Sequence, residues 1–302
     1  MATDNVVRPA SFLRMRPRLV PGSGLWFFQR DRVAVASLAI IAIVTLAAVT
    51  AQWITPYAQQ GLGVPDPNNA LINPSIQHPF GTDELGRDVL ARIMFGARSS
   101  ILIGVIVVAV GVVVGTALGA VAGFAGGWLD EIIMRFTDVV LSFPPLLLAI
   151  ALAATLQPSL QTAIIAISAT WWPWYTRLVR AEAVSVRERH YVLAARSIGA
   201  SPAFILRRHI VPNILGPVRV QAALDLGAAI LAGAALSFLG LGPQAPTADW
   251  GVMVSHGRDF LVTGQWWLSI FPGIAIVVTV VAFNLFGDGF QAVMDPRSRE
   301  VS

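Results

Sequence analysis

"YVLAARSIGASPAFILRRHIVPN", residues 191–213, is an arginine-dotted stretch set inside a chain that is otherwise strongly apolar. It reads as two short helices joined by a fixed elbow. Tyr191, Ala194, Ala195 and Ile198 recur at helical spacing and define one apolar face. Gly199 is a natural stop, since glycine enters the left-handed region at little cost. Ser201 then serves as N-cap, Pro202 occupies the first turn, and Pro212 ends the second helix. Two roles suit such an element. It is either a hairpin lying on the membrane surface, with Arg207 and Arg208 near anionic lipid, or a docking element for a cytoplasmic partner.

The flanking composition makes a bilayer the natural solvent. Of 302 residues, 55% are hydrophobic and 13% charged, against roughly 25% charged in a soluble domain. Every basic residue is arginine; without lysine, the chain cannot build a phosphate loop of the Walker A kind. Without cysteine, it has no disulfides, thiolate metal sites or cysteine nucleophile. The pI near 10.5 does not point to nucleic acid, because the arginines are not gathered with aromatics into one stripe.

A bilayer-crossing helix needs about 20 mostly apolar residues, and six such spans are expected. "VAVASLAIIAIVTLAAVTAQWI" fills the first, at 33–54, and the uncharged run 99–129 the second. The uncharged run 139–176 is too long for one helix, so "LQPSLQ" at 156–161 divides it into spans three and four. The fifth runs from about Pro217 to Leu239 and the sixth from about Trp267 to Gln291. With both termini inside, 17 arginines are cytoplasmic and four (Arg87, Arg92, Arg98, Arg258) are outside, as the positive-inside rule demands. The expected organisation is an all-α polytopic membrane protein. It comprises a cytoplasmic tail 1–32, an anchor 33–54, an extracytoplasmic segment 55–98 with an amphipathic helix, a five-helix core 99–291 containing the cytoplasmic loop 182–213, and a tail 292–302.

Within this frame a few residues carry possible chemistry. In the outer segment, Thr82-Asp83-Glu84 reads as a helix start, with Asp83–Arg87 and Asp88–Arg92 as i, i+4 pairs on a solvated face or near the translocation mouth. Gly111, Gly115, Gly119 and Gly123, spaced four apart, form a small-residue ridge for close helix packing. Asp225 lies well within a proposed span and needs a partner or water. It either faces a cavity, where it would meet a substrate amine, or sits near the cytoplasmic end paired with Arg219 or Arg180. Asn284 and Asp288 share a face of the last span, Asn284 as a second pathway candidate. Trp171, Trp172 and Trp174 suit an interfacial belt or a packing cluster. The histidines at 78, 190, 209 and 256 lack metal spacing, and no catalytic constellation emerges.

The opening stretch also resembles the E-A-A loop of ABC-type importer permeases. Leu193-Ala194-Ala195, then Gly199 three residues on, then His209-Ile210-Val211-Pro212 after nine more reproduce its spacing, with Leu193 standing for the glutamate. "HPFGTDELGRDVLARIMFGARSSILIG" (78–104), "LSFLGLGPQAPTADWGVMVSHGRDFL" (236–261) and "FPGIAIVVTVVAFNLFGDGFQAVMDPRSR" (271–299) are similar to the C-type permease subunit of dipeptide, oligopeptide and nickel importers. The resemblance implies a multi-pass protein of a bacterial or archaeal plasma membrane, with the type I importer permease fold. It implies half of a translocation pathway completed by a second homologous permease. An extracytoplasmic solute-binding protein would deliver cargo, peptides first and nickel or another small solute as the alternative. Two cytoplasmic ATPase subunits would bind ATP and Mg, leaving this chain without cofactor or catalysis. Tyr191, Leu193, Ala194, Ala195, Gly199, Ser201 and Pro212 would then form the ATPase-coupling loop. A gradient-driven secondary transporter is the reading from another class; it calls for ionisable residues or broken helices near the midplane, and Asp225 alone qualifies.

Overall fold

The computed structural model describes residues 31–294. Most of the expected terminal tails, residues 1–30 and 295–302 with seven of the arginines counted as cytoplasmic, lie outside the described residues. The fold is helical throughout, and the pairing that most resembles a sheet is one isolated bridge between Thr82 and Asp88.

Helix α1 (Arg32–Ile54) starts where Asp31 accepts hydrogen bonds from the amides of Val33 and Ala34, at 2.9 and 3.2 Å. Capping satisfies amides that have no partner inside the helix. Leu46, Val49 and Trp53 on α1 are exposed, while Ala48 and Ala51 are buried. An exposed apolar face on a long helix is what lipid, not water, accommodates.

The outer segment departs from the expected amphipathic helix. After the one-turn helix α2 (Ala58–Gly61), residues 82–88 form a tight turn and helix α3 (Val89–Ala125) begins only at Val89. The cause is side-chain competition with the backbone. Asp83 Oδ1 accepts from the amides of Leu85 and Arg87, closing a turn instead of opening a helix. Arg87 does pair with Asp83, at 2.7 Å, but both are buried. The expected Asp88–Arg92 pair is absent: Asp88 caps α3 through the Ala91 amide (2.7 Å) and holds His78 Nδ1 (2.9 Å). Arg92 leans instead towards Asp83, at 3.7 Å. This segment is a buried, ion-bridged knot, not a solvated face.

Helix α3 ends at Gly126–Gly127, which take φ of 67° and 60°, a left-handed step that favours glycine. The second span therefore stops short of residue 129. The region around Arg135, expected as a loop, is helix α4 (Gly127–Leu141). It meets helix α5 (Pro145–Ala154) at an 82° bend, where Pro144 and Pro145 cannot donate backbone hydrogen bonds. Ser159 then caps helix α6 (Leu160–Arg187) through the Thr162 amide, so the division expected at 156–161 is present.

Helix α7 (His190–Ser197) and the one-turn α8 (Pro202–Ile205) lead through a wide π turn, Leu206–Ile210, into helix α9 (Val211–Phe238). A short helix α10 (Trp250–Gly257) precedes the last long helix, α11 (Trp267–Met294). Asp249 caps α10 by accepting from the amides of Gly251 and Val252, and it is buried.

Among the described residues four helical units are long and apolar enough to cross a membrane: α1, α3, Pro202–Phe238 and α11; the bent α4–α5 pair makes five. Helix α6 has the length, 28 residues, but Trp171, Trp172, Pro173 and Trp174 dilute its apolar run. The expected six spans are compatible with this set. At the centre, α3 packs along α6, flanked by α9, with α11 and α1 beyond.

Candidate functional site

The cytoplasmic-type loop has the expected elbow. Gly199 follows α7 with φ of 81°, and Ser201 caps α8 by accepting from the Phe204 amide at 3.3 Å. The buried side of the loop differs from the expected one. Val192 and Ala195 point inward, with Ile205 and Ile210, onto Val179, Ala183 and Val186 of α6 and Ile214 of α9. Tyr191 (40% exposed), Leu193 (46%), Ile198 (85%) and Phe204 (52%) point out, and Ala194 is exposed with them. The helical spacing of Tyr191, Ala194 and Ile198 marks an outer face; Ala195 belongs to the inner one.

Pro212 does not end the second helix. The chain passes from Pro202 to Phe238 as one helical unit, and Pro212 falls in the first turn of α9. A proline inside a regular α-helix would lose a hydrogen bond and press its ring on the carbonyl four residues back. The wide turn just before it, closed by the Val211 amide on the Leu206 carbonyl, relieves that contact. His209 lies beside the rings of Tyr191 and Phe204, at 5.9 and 5.7 Å between centroids. Ala203, Phe204, Arg207 and Arg208 line an open hollow of about 470 Å³.

Behind the loop runs the seam between α3 and α6. A Cβ on Gly111 would lie 3.2 Å from the Tyr175 ring, on Gly115 2.7 Å from the Trp172 carbonyl, on Gly119 2.8 Å from Val179 Cβ and on Gly123 2.6 Å from the Arg180 carbonyl. Gly115, Gly119 and Gly123 therefore bring α3 against the backbone of α6, and Gly111 seats the Tyr175 and Trp171 rings, the small-residue packing of membrane helices.

Asp225 sits midway along α9, not at either end. Among the described residues neither expected arginine, Arg219 or Arg180, forms an ion pair with it. Arg180 grips Asp130 of α4, its Nη2 at 2.7 Å from Oδ2, and Arg177 meets Asp138 at 2.7 Å. The hydrogen-bond donor to Asp225 is Gln221 Nε2, at 2.8 Å. Asp225, Gln221, Arg177, Leu178, Trp171 and Trp174 line a groove of about 430 Å³ between α6 and α9. Asn284 is not among its walls. It abuts Gly227, on another side of α9, where a Cβ would lie 3.2 Å from Asn284 Cγ; Asp288 is exposed further along. Among the described residues no three of His, Cys, Asp and Glu gather as a metal site. The groove tryptophans and Gln221 were missed as site residues. Gln221, one turn before the only deep acid of its span, was the readable signal; the tryptophans come from another helix.

Residues 115–300 match the family described as binding-protein-dependent transport system inner membrane component. Residues 24–74 match the N-terminal TM domain of oligopeptide transport permease C. The chain is 44% identical over 274 residues, 91% of each chain, to the probable D,D-dipeptide transport system permease protein DdpC of Escherichia coli (strain K12). It is 39% identical over 285 residues, 94% of this chain and 88% of the other, to the dipeptide transport system permease protein DppC of Bacillus subtilis (strain 168). With the glutathione transport system permease protein GsiD of Shigella flexneri serotype 5b (strain 8401) it shares 41% identity over 270 residues, 89% of this chain and 88% of the relative. The membrane-length helices, the elbowed loop and these matches have one reading: the chain belongs to the family of binding-protein-dependent transport system inner membrane components.

Proposed function

We propose that this chain is the permease subunit of an ATP-driven peptide importer in a bacterial or archaeal plasma membrane, with both termini cytoplasmic. It forms half of the translocation pathway, and a second homologous permease forms the rest. Two cytoplasmic ATPase subunits bind ATP and Mg, an extracytoplasmic solute-binding protein delivers the cargo, and this chain performs no catalysis. The relatives named for dipeptide transport support peptides as the cargo.

One observation carries the coupling role: the exposed apolar knuckle of Tyr191, Leu193, Ile198 and Phe204 stands at the head of the helical unit Pro202–Phe238. Such a knuckle costs free energy in water and gains it in a partner's groove. Its inner side is equally suited to transmission. Val192, Ala195, Ile205 and Ile210 form one packed cluster with Val179 and Ala183, the residues that meet the glycine ridge. A push on the knuckle is therefore delivered to the α3–α6 seam and to α9 together, and rigid-body tilting of these helices is the expected response.

The test is gentle extraction of the tagged chain from its native membrane, with every copurifying protein identified and counted. Recovery of one homologous permease with two ATPase copies or homologues supports the reading. Recovery of the chain alone, or as a homo-oligomer, across mild detergents sinks it.

A further inference from the structure

Asp225 is a carboxylate midway along a spanning helix, and among the described residues no basic side chain neutralises it; its donor is the Gln221 amide. Arg177 and Arg180, the cations nearest in the sequence of α6, are engaged by Asp138 and Asp130. The Tyr175 hydroxyl is fully buried and lies close to Asp225, yet stops short of a well-formed hydrogen bond to any group. The site thus holds a carboxylate without an ion-pair partner among the described residues, in a groove whose lining arginine, Arg177, is engaged by Asp138. An ionisable residue so placed in a membrane is retained for a cavity or a ligand.

The surroundings say which ligand. Asp225 opens into the 430 Å³ groove with Trp171 and Trp174 in its walls, within the size range of small-molecule sites. A carboxylate among tryptophans is a site for an ammonium ion, which donates hydrogen bonds to the carboxylate and is drawn to the ring faces by cation–π attraction. The groove continues past Pro145 and Trp171 into an apolar hollow of about 360 Å³, walled by Ile167, Leu231 and Ala232, where uncharged side chains would fit.

We propose that the Asp225 end of this groove is a subsite for the protonated amino group of a peptide passing through the permease. The proposal rests on the importer reading above and adds the chemistry by which this chain itself recognises cargo. An anionic or neutral head group at the same place would leave Asp225 uncompensated.

The test uses the extracted complex with its native partners. The probe is a dipeptide of alanine followed by a photoreactive diazirine-leucine, alongside its N-acetylated form. Crosslinked residues are mapped by mass spectrometry during ATP turnover. The free-amine probe should label the walls at Trp171, Trp174 or Leu178. Acetylation should cut that labelling about tenfold or more, the worth of a charged hydrogen bond. Asp225→Asn should do the same, and Asp225→Glu should retain labelling. Equal labelling by the two probes in the unmodified complex overturns the subsite even if the Asn variant fails to fold. Labelling confined to residues outside the groove overturns it too. ATPase subunits counted in the same preparation separate the two ideas: with them present, only the subsite falls; with them absent, the importer reading falls and takes the subsite with it.

Discussion

Gly115 of α3 lies directly against Tyr175 of α6, with no space for a methyl group between the two helices. A Cβ there would also come within 2.7 Å of the Trp172 carbonyl and 2.9 Å of the Thr176 amide, both backbone atoms that cannot swing aside. Gly115→Ala should therefore destabilise the extracted protein by about 1–3 kcal/mol, the range of overpacking. Gly273→Ala, where nothing lies within 4 Å, should be neutral or stabilising by up to about 1 kcal/mol. Thermal unfolding of the two variants side by side checks this; equal midpoints would remove the seam from the account.

Ile198 is 85% exposed at the tip of the elbow. Ile198→Asp should leave stability within about 0.5 kcal/mol. It should weaken ATPase association about tenfold or more, as loss of an apolar anchor does. Leu193→Glu, which restores the glutamate of the loop pattern this stretch resembles, should preserve association. Copurification yield over a salt series reads both, and retention of ATPase by Ile198→Asp would move the docking face elsewhere.

The wide turn at Leu206–Ile210 accommodates Pro212. Pro212→Ala restores an amide and lets that turn tighten, rotating α8 against α9. The expected outcome is ATPase subunits that remain bound and hydrolyse ATP while peptide uptake falls. Uptake and hydrolysis falling together would point to misfolding, which unfolding midpoints would show.

Burial pushes the Asp249 carboxyl above the usual range, against hydrogen bonds from the Val252 and Gly251 amides. Between its unfolded value of about 3.9 and its higher folded value, the folded protein binds more protons than the unfolded chain. Its contribution to stability is thus greatest below about pH 4 and declines as pH rises through the folded value. Asp249→Asn keeps a capping side chain and removes this decline, so the difference in unfolding midpoint between the two proteins should shift in favour of Asn as pH rises. Asp249→Ala should lose about 1–2 kcal/mol at low pH, and this gap should narrow as pH rises. A pH-independent gap between wild type and Asn would refute the assignment.

Local signals in the sequence were legible where the physics is local. Gly199 and Ser201 act through their own backbone and hydroxyl, and the glycine period of α3 is visible without knowing which helix it meets. The outer segment misled because Asp83 and Asp88 match the spacing of helical ion pairs while their side chains bond the backbone nearby, and spacing does not distinguish the two. The region around Arg135 suggested a loop because four charged residues, Asp130, Glu131, Arg135 and Asp138, interrupt the apolar run; in fact Asp130 and Asp138 on this helix are answered by Arg180 and Arg177 from α6. The aromatic neighbours of Asp225, unlike Gln221, were beyond reach for the same reason. Trp171 and Trp174 are neighbours only once α6 and α9 are packed.

The helical unit Pro202–Phe238 begins at the docking elbow and ends where Phe238 O accepts a hydrogen bond from Ser255 of α10, at 2.7 Å. At 37 residues and about 1.5 Å per residue, it is far longer than the roughly 30 Å hydrocarbon layer. It is a single lever with Asp225 near its middle. Its two ends are mechanically tied: a displacement at the elbow carries the Asp225 region and the Phe238 end with it, so under the proposed importer reading coupling and cargo contact would share one mechanical coordinate.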